Sequence, residues 1–103
     1  MIPALTNEQR KEAARKAAEF RKHRASVLNK VRHGELSLPE VLNIAEQDEV
    51  IAGCKVFNLI KAVPRYGTTK SEQVMQDLKI AKSRRIRGLG QKQKEALIDQ
   101  FSN

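Results

Sequence analysis

Pro64-Arg65-Tyr66-Gly67-Thr68-Thr69-Lys70-Ser71-Glu72 is the stretch on which the fold of this chain turns. The proline closes a preceding helix, because its ring disfavours helical geometry in the residue before it. Thr69 and Glu72 have the spacing of a capping box and predict that a new helix opens there, carrying Val74, Met75 and Leu78. Two helices thus meet at a tight turn containing Gly67. A glycine turn running into a helix N-terminus is a natural anion site, since free N–H groups point outward and the helix dipole favours negative charge. Thr68, Thr69 and Lys70 can add side-chain bonds to a phosphate, and Arg65 and Tyr66 flank the turn.

Downstream, Lys79-Ile80-Ala81-Lys82-Ser83-Arg84-Arg85-Ile86-Arg87 holds five cations and no acid. Gly88-Leu89-Gly90 follows, and a helix is predicted from about Gln91 to Phe101, with Lys92 and Lys94 near its start and Leu97, Ile98 and Phe101 returning to the core. The second glycine turn repeats the logic of the first. Arg84, Arg85 and Arg87 are candidates for phosphate forks or for a narrow minor groove, with Lys82, Gly88, Gly90 and Lys92 beside them.

Upstream, Thr6 and Gln9 make a capping box for a first helix that runs to about His33, where Gly34 supplies a left-handed stop. Ala13, Ala17, Phe20, Arg24, Val27 and Val31 share one face. Its second half, Phe20, Val27, Leu28 and Val31, is expected to anchor the helix to a core. Its first half offers only alanines, so the first two or three turns are expected to project as an arm. Lys11, Arg15, Arg21, Lys22 and Arg32 fall on the opposite side with few acidic neighbours, as a helical arm that orders against phosphates would require. Ser37 and Glu40 form another capping box, Asp48 and Gly53 bracket a short turn holding Val50 and Ile51, and Lys55 to Val63 forms a compact apolar helix. The fold class is all-α: a long N-terminal helical arm over residues 1–34, then a compact bundle over 35–103.

The charge is unevenly spread. Residues 1–33 hold nine basic and three acidic side chains, 34–63 two and five, and 64–103 nine and four, which makes the formal net charge of +8. The excess points to a polyanionic partner, and the acidic middle is expected to be scaffold turned away from it. With no Trp and only Phe20, Phe57, Phe101 and Tyr66 as aromatics, platforms for stacking unpaired bases cannot be built. No segment approaches the roughly 20 apolar residues of a membrane span, and Met1-Ile2-Pro3-Ala4-Leu5 lacks the pattern of a signal peptide, so a cytoplasmic protein is expected. The single cysteine, Cys54, excludes an internal disulfide, and Cys54, His23 and His33 share no metal-ligand spacing. His33, beside Gly34, is expected to cap helix carbonyls. No nucleophile, acid–base pair or metal cluster is recognisable, so neither an enzyme nor a cofactor is expected.

The turn at Tyr66-Gly67-Thr68-Thr69-Lys70-Ser71, followed by a short helix, a basic connector and a final helix, resembles the helix-two-turn-helix module of a small-subunit ribosomal protein and of one class of DNA repair glycosylase. Leu5-Thr6-x-x-Gln9-Arg10, Asp48-Glu49-Val50, Pro64-x-x-Gly67 and above all Arg84-Arg85-Ile86-Arg87-Gly88-Leu89-Gly90 extend the likeness over essentially the whole chain, to the actinobacterial integration host factors. One departure stands out: such turns usually carry a glycine where Arg65 stands. The resemblance implies a nucleoid-associated, architectural protein that binds double-stranded DNA with little sequence preference, bends it and assists phage integrase complexes. It implies that Arg84, Arg85 and Arg87 match the family's basic connector and Gly67 to Lys70 its phosphate-gripping turn. A monomer is expected. Because the same module serves ribosomal proteins, an RNA-binding protein is the alternative.

Overall fold

The computed structural model describes residues 6–102. Leu5, which begins the first family-like motif, lies with Met1 to Ala4 outside the described residues. Among the described residues, six α-helices and one 3-10 turn make up the regular structure: α1 (Asn7–Arg32), α2 (Leu38–Ala45), α3 (Glu49–Ala52), α4 (Val56–Ala62), α5 (Thr68–Asp77), the 3-10 turn Ile86–Gly88, and α6 (Gln91–Gln100). Among the described residues there is no strand, so the all-α expectation holds.

The ends of α1 are written in local chemistry. Gln9 N donates to Thr6 Oγ1 at 3.1 Å and Thr6 N donates to Gln9 Oε1 at 2.9 Å, closing the capping box. At the other end Gly34 takes φ +75°, Glu35 N reaches Lys30 O at 2.8 Å and Gly34 N reaches Val31 O at 3.1 Å. This crossed pair of bonds is a Schellman stop, which needs a left-handed residue and so favours glycine. His33 closes the helix with its backbone N–H, which donates to Asn29 O at 3.0 Å, and among the described residues its imidazole makes no bond to the helix carbonyls.

Twenty-six residues at the helical rise make α1 about 39 Å long. The longest dimension of the molecule is 49 Å against 31 and 26 Å for the others. Only Val27 and Val31 of α1 are buried, and every residue from Thr6 to Lys16 is exposed. The arm therefore projects over the two or three turns expected. Phe20 does not anchor it: the ring is 45 % exposed. It lines an open cleft at the edge of the body instead of packing into the core.

Beneath the second half of α1 lies a core in which Val31, Leu38, Leu42, Ile51, Val56, Leu59, Ile60, Met75 and Leu97 are almost wholly buried. Each large side chain contributes about 1.5–3 kcal/mol relative to exposure, which holds these short helices where their own propensity would not. α2 begins at the expected box, with Glu40 N donating to Ser37 Oγ at 3.2 Å. α3 is a single turn capped by Asp48, whose carboxylate accepts from Val50 N at 3.0 Å and Ile51 N at 3.2 Å. α5 departs from expectation. It starts at Thr68 with Gly67 as N-cap, not at a Thr69–Glu72 box, and Glu72 pairs with Lys82 instead.

Candidate nucleic-acid interface

The turn before α5 owes its shape to Arg65. Its φ of +74° lies in the left-handed region, and Tyr66 N then closes onto Val63 O at 3.1 Å. Gly67, by contrast, is extended, with φ −92° and ψ −174°. A Cβ there would meet nothing within 4 Å. Neither backbone strain nor protein packing demands glycine at this position, and as the N-cap of α5 it leaves the space beside the helix start open. The first helical bond of α5 runs from Ser71 N to Gly67 O at 3.0 Å. The N–H groups of Thr68, Thr69 and Lys70 therefore open outward beside the gap left by Gly67. Lys70 Nζ sits 5.1 Å from the centre of the Tyr66 ring, and Tyr66 in turn packs on Phe101 with centroids 4.9 Å apart.

The basic connector is not a loose run. Val56 N donates to Arg84 O at 3.0 Å and Ile86 N to Cys54 O at 2.9 Å, an isolated antiparallel bridge that pairs Lys55 with Arg85. The bridge and the burial of Ile86 lock the backbone between two arginines to the start of α4. Within it the cations divide their work. Arg85 donates to Gly53 O, and Arg84 donates to Gly88 O at 3.0 Å. A Cβ on Gly88 would lie 3.1 Å from Arg84 Cδ, so this glycine lets the arginine fold over the backbone. Lys82 Nζ lies 2.7 Å from Glu72 and 5.3 Å from the Phe57 ring, which also carries Lys61 at 5.4 Å. The contact with Glu72 ties the connector to the N-terminal half of α5.

At the second glycine turn, Gly90 is the N-cap of α6 and its N–H donates to Gln93 Oε1 at 3.0 Å. Lys92 is exposed there, whereas Lys94 is paired with Glu46 of the scaffold.

On the arm, Lys11, Arg15, Arg21 and Lys22 are exposed, and Arg15 forms an ion pair with Glu12 at 2.7 Å. They do not join the connector. The residues of α1 that do so are Phe20 and Arg24, which line an open cleft together with Glu49, Gly53, Arg85 and Arg87. Two expectations are corrected by this cleft. Arg24 shares the face that periodicity assigns to the core, and Glu49 belongs to the acidic segment expected to turn away from the basic surface. α3 packs against both α1 and the 3-10 turn, which carries Glu49 in among three arginines. The one signal for Arg24 was its position a turn beyond Phe20.

Cys54 is buried, and desolvation pushes its thiol up despite the nearby Arg24 and Arg85. A thiol so held is a poor nucleophile. Among the described residues no group of three or more His, Cys, Asp and Glu side chains is placed to hold a metal ion, and no helix is long and apolar enough to cross a membrane.

Residues 31–101 match the family described as the S13-like H2TH domain. The chain is 42 % identical over 102 residues to the integration host factor of Mycobacterium tuberculosis, covering 99 % of this chain and 97 % of that one. It is 43 % identical over 100 residues to the Mycolicibacterium smegmatis protein of the same name, covering 97 % and 95 %, and 40 % identical over 102 residues to that of Streptomyces coelicolor, covering 99 % and 95 %. Among solved structures, sIHF bound to an 8 bp palindromic DNA superposes with a TM-score of 0.82 at 39 % identity, covering 84 % of this chain and 98 % of that one. With the helix-two-turn-helix geometry and this identity along nearly its full length, the chain belongs to the integration host factor family and carries an S13-like H2TH domain.

Proposed function

We propose that this protein is an architectural DNA-binding protein of the nucleoid. It grips the phosphates of double-stranded DNA with little sequence preference, bends or compacts it as a monomer, and assists integrase-mediated recombination. The observation that carries this reading is the connector, five cations without an acid, whose backbone is bridged to α4 and so presents its guanidinium groups from a fixed frame. Rigid presentation of charge favours a regular polyanion over a flexible one, because less side-chain and loop entropy is lost on binding. The open N-terminus of α5 beside Gly67 adds backbone donors of the kind that fix register on a duplex without reading bases. The DNA-bound state of its structural neighbour supports the same partner. In this reading Arg65 to Lys70, Lys82, Arg84, Arg85, Arg87, Gly88, Gly90 and Lys92 form the contact surface of the domain spanning 35–103. The arm, residues 1–34, adds Lys11, Arg15, Arg21 and Lys22 alongside the duplex.

The test is equilibrium binding to one mixed-sequence duplex, prepared as DNA and as RNA, across a salt series. Tighter binding to DNA, a steep linear fall of log K with log salt and near-equal affinity for unrelated sequences are expected. Preference for the RNA duplex would overturn the reading in favour of a ribosomal type of role.

A further inference from the structure

The cleft between α1 and the connector has a composition that the charge count alone does not explain. Phe20 is the large apolar side chain exposed among the described residues, and it stands one helical turn before the half-buried Arg24. Across the cleft, Arg85 is fixed by its bond to Gly53 O, and a Cβ built on Gly53 would sit 3.8 Å from a terminal nitrogen of Arg87. Two guanidinium groups thus converge on a glycine floor opposite the phenyl ring and the third arginine. Glu49 is the single acid on the rim, and among the described residues it makes no ion pair with the three.

Three cations against one anion call for a polyanion, and an apolar ring set among them calls for an apolar stretch in that polyanion. A nucleic-acid strand alternates in this way, phosphate then sugar. The sugar distinguishes the two nucleic acids: deoxyribose offers a C2′ methylene, whereas ribose places a hydroxyl there, which can donate and accept. Pressing that hydroxyl on a phenyl ring strips its water without replacing the hydrogen bonds, which costs free energy.

Resting on the proposed DNA-binding reading, we infer that the cleft is a site for one backbone segment of DNA. Arg24, Arg85 and Arg87 hold phosphate oxygens there, and Phe20 packs on the intervening deoxyribose. Phe20 is then a residue through which the protein prefers DNA to RNA. The acid on the rim weakens the grip of the cleft by repelling the same phosphates.

The experiment uses the full chain and one mixed-sequence duplex made as DNA and as RNA, with a salt series for each. Phe20→Ala should weaken DNA binding about fivefold or more and RNA binding far less, so that the DNA-to-RNA ratio shrinks. Its salt slope should match that of the unaltered protein, because no charge is removed. Arg24→Ala should lower that slope by about one. Glu49→Gln should tighten binding to DNA a few-fold, a gain that a misfolded variant cannot produce. Equal losses on DNA and RNA for Phe20→Ala, or no response to either Phe20→Ala or Glu49→Gln, would overturn the assignment while leaving DNA binding by the connector intact. An unaltered protein that binds neither duplex, or RNA better, would overturn the assignment together with the reading beneath it.

Discussion

His23 Nε2 of α1 lies 2.7 Å from Asp48 Oδ2, the residue that caps α3. One carboxylate therefore terminates a helix with one oxygen and ties a second helix to it with the other. The hydrogen bond from His23 is the main reason the Asp48 carboxyl is held below the usual carboxylate range, with the backbone bonds from Ile51 and Val50 adding to it against a partial desolvation. A depressed carboxyl contributes stability that is fully present above its unfolded pKa and is lost as pH falls through its folded value. Thermal unfolding followed by circular dichroism should accordingly show this contribution intact at pH 7 and fading below about pH 4. Asp48→Asn keeps a capping oxygen and should flatten that acid limb. Asp48→Ala should cost about 1 kcal/mol at pH 7 through the lost cap.

Arg65 is held at φ +74°, where most members of this turn type carry glycine. A non-glycine residue in the left-handed region costs about 1–2 kcal/mol, partly offset by the lower entropy of its unfolded chain. Arg65→Gly should therefore raise stability by about 0.5 kcal/mol in urea unfolding. If Arg65 also meets a phosphate, the same variant should bind DNA more weakly with a shallower salt slope. Stability and affinity moving in opposite directions would mark strain retained for function.

The contrast between α1 and the cleft explains what could be read in advance. Both ends of α1 were legible because caps are local: Thr6 with Gln9, and Gly34 with the carbonyls of Lys30 and Val31, lie within a few residues of each other. The start of α5 is less legible: Thr69 and Glu72 have box spacing, yet Glu72 pairs with Lys82, ten residues on. Periodicity places Phe20 on the inward face but does not tell a packed core from an open cleft. Nor could it announce the pairing of Cys54–Val56 with Arg84–Ile86, one bridge joining segments far apart in the chain. That pairing and the wedging of α3 between α1 and the connector assemble the cleft. Both are products of packing rather than of local pattern.

Arg85 and Arg87 are two residues apart and should nonetheless fail differently. Arg85 donates to Gly53 O across the α3–α4 junction. Its replacement by alanine should lower stability by about 1–2 kcal/mol as well as affinity, because that carbonyl loses a charged donor. Arg87→Ala should leave unfolding within about 0.5 kcal/mol of the unaltered protein. It should weaken binding evenly across DNA sequences and lower the salt slope by about one. Loss confined to one favoured sequence would contradict backbone recognition.

Removal of residues 1–15 tests the arm. From Thr6 to Lys16 every described side chain is exposed, and the buried residues of α1 begin at Val27. The truncated chain should keep a cooperative unfolding transition close to that of the full chain, with weaker DNA binding and a smaller salt slope. An early or broadened melt would show that the arm supports the body after all.

Phe101, at the end of α6, touches none of the arginines of the connector cleft, yet DNA affinity should depend on it. Its ring packs at 4.9 Å and 48° on Tyr66, and Tyr66 carries the Lys70 ammonium at 5.1 Å. The far end of the chain thus braces the turn whose N–H groups open beside Gly67. An aromatic pair of this kind contributes about 0.5–1.5 kcal/mol beyond the area it buries. Phe101→Leu keeps most of the apolar contact and removes the ring, so the fold should persist while Lys70 loses its fixed position. Affinity for DNA should fall a few-fold with an unchanged salt slope, since no cation has been deleted. Lys70→Gln, by contrast, should lower the slope by about one. Combining the two should then lose less than the sum of the separate effects, because the brace acts through the lysine it positions. Full additivity would mean that Phe101 serves the core alone.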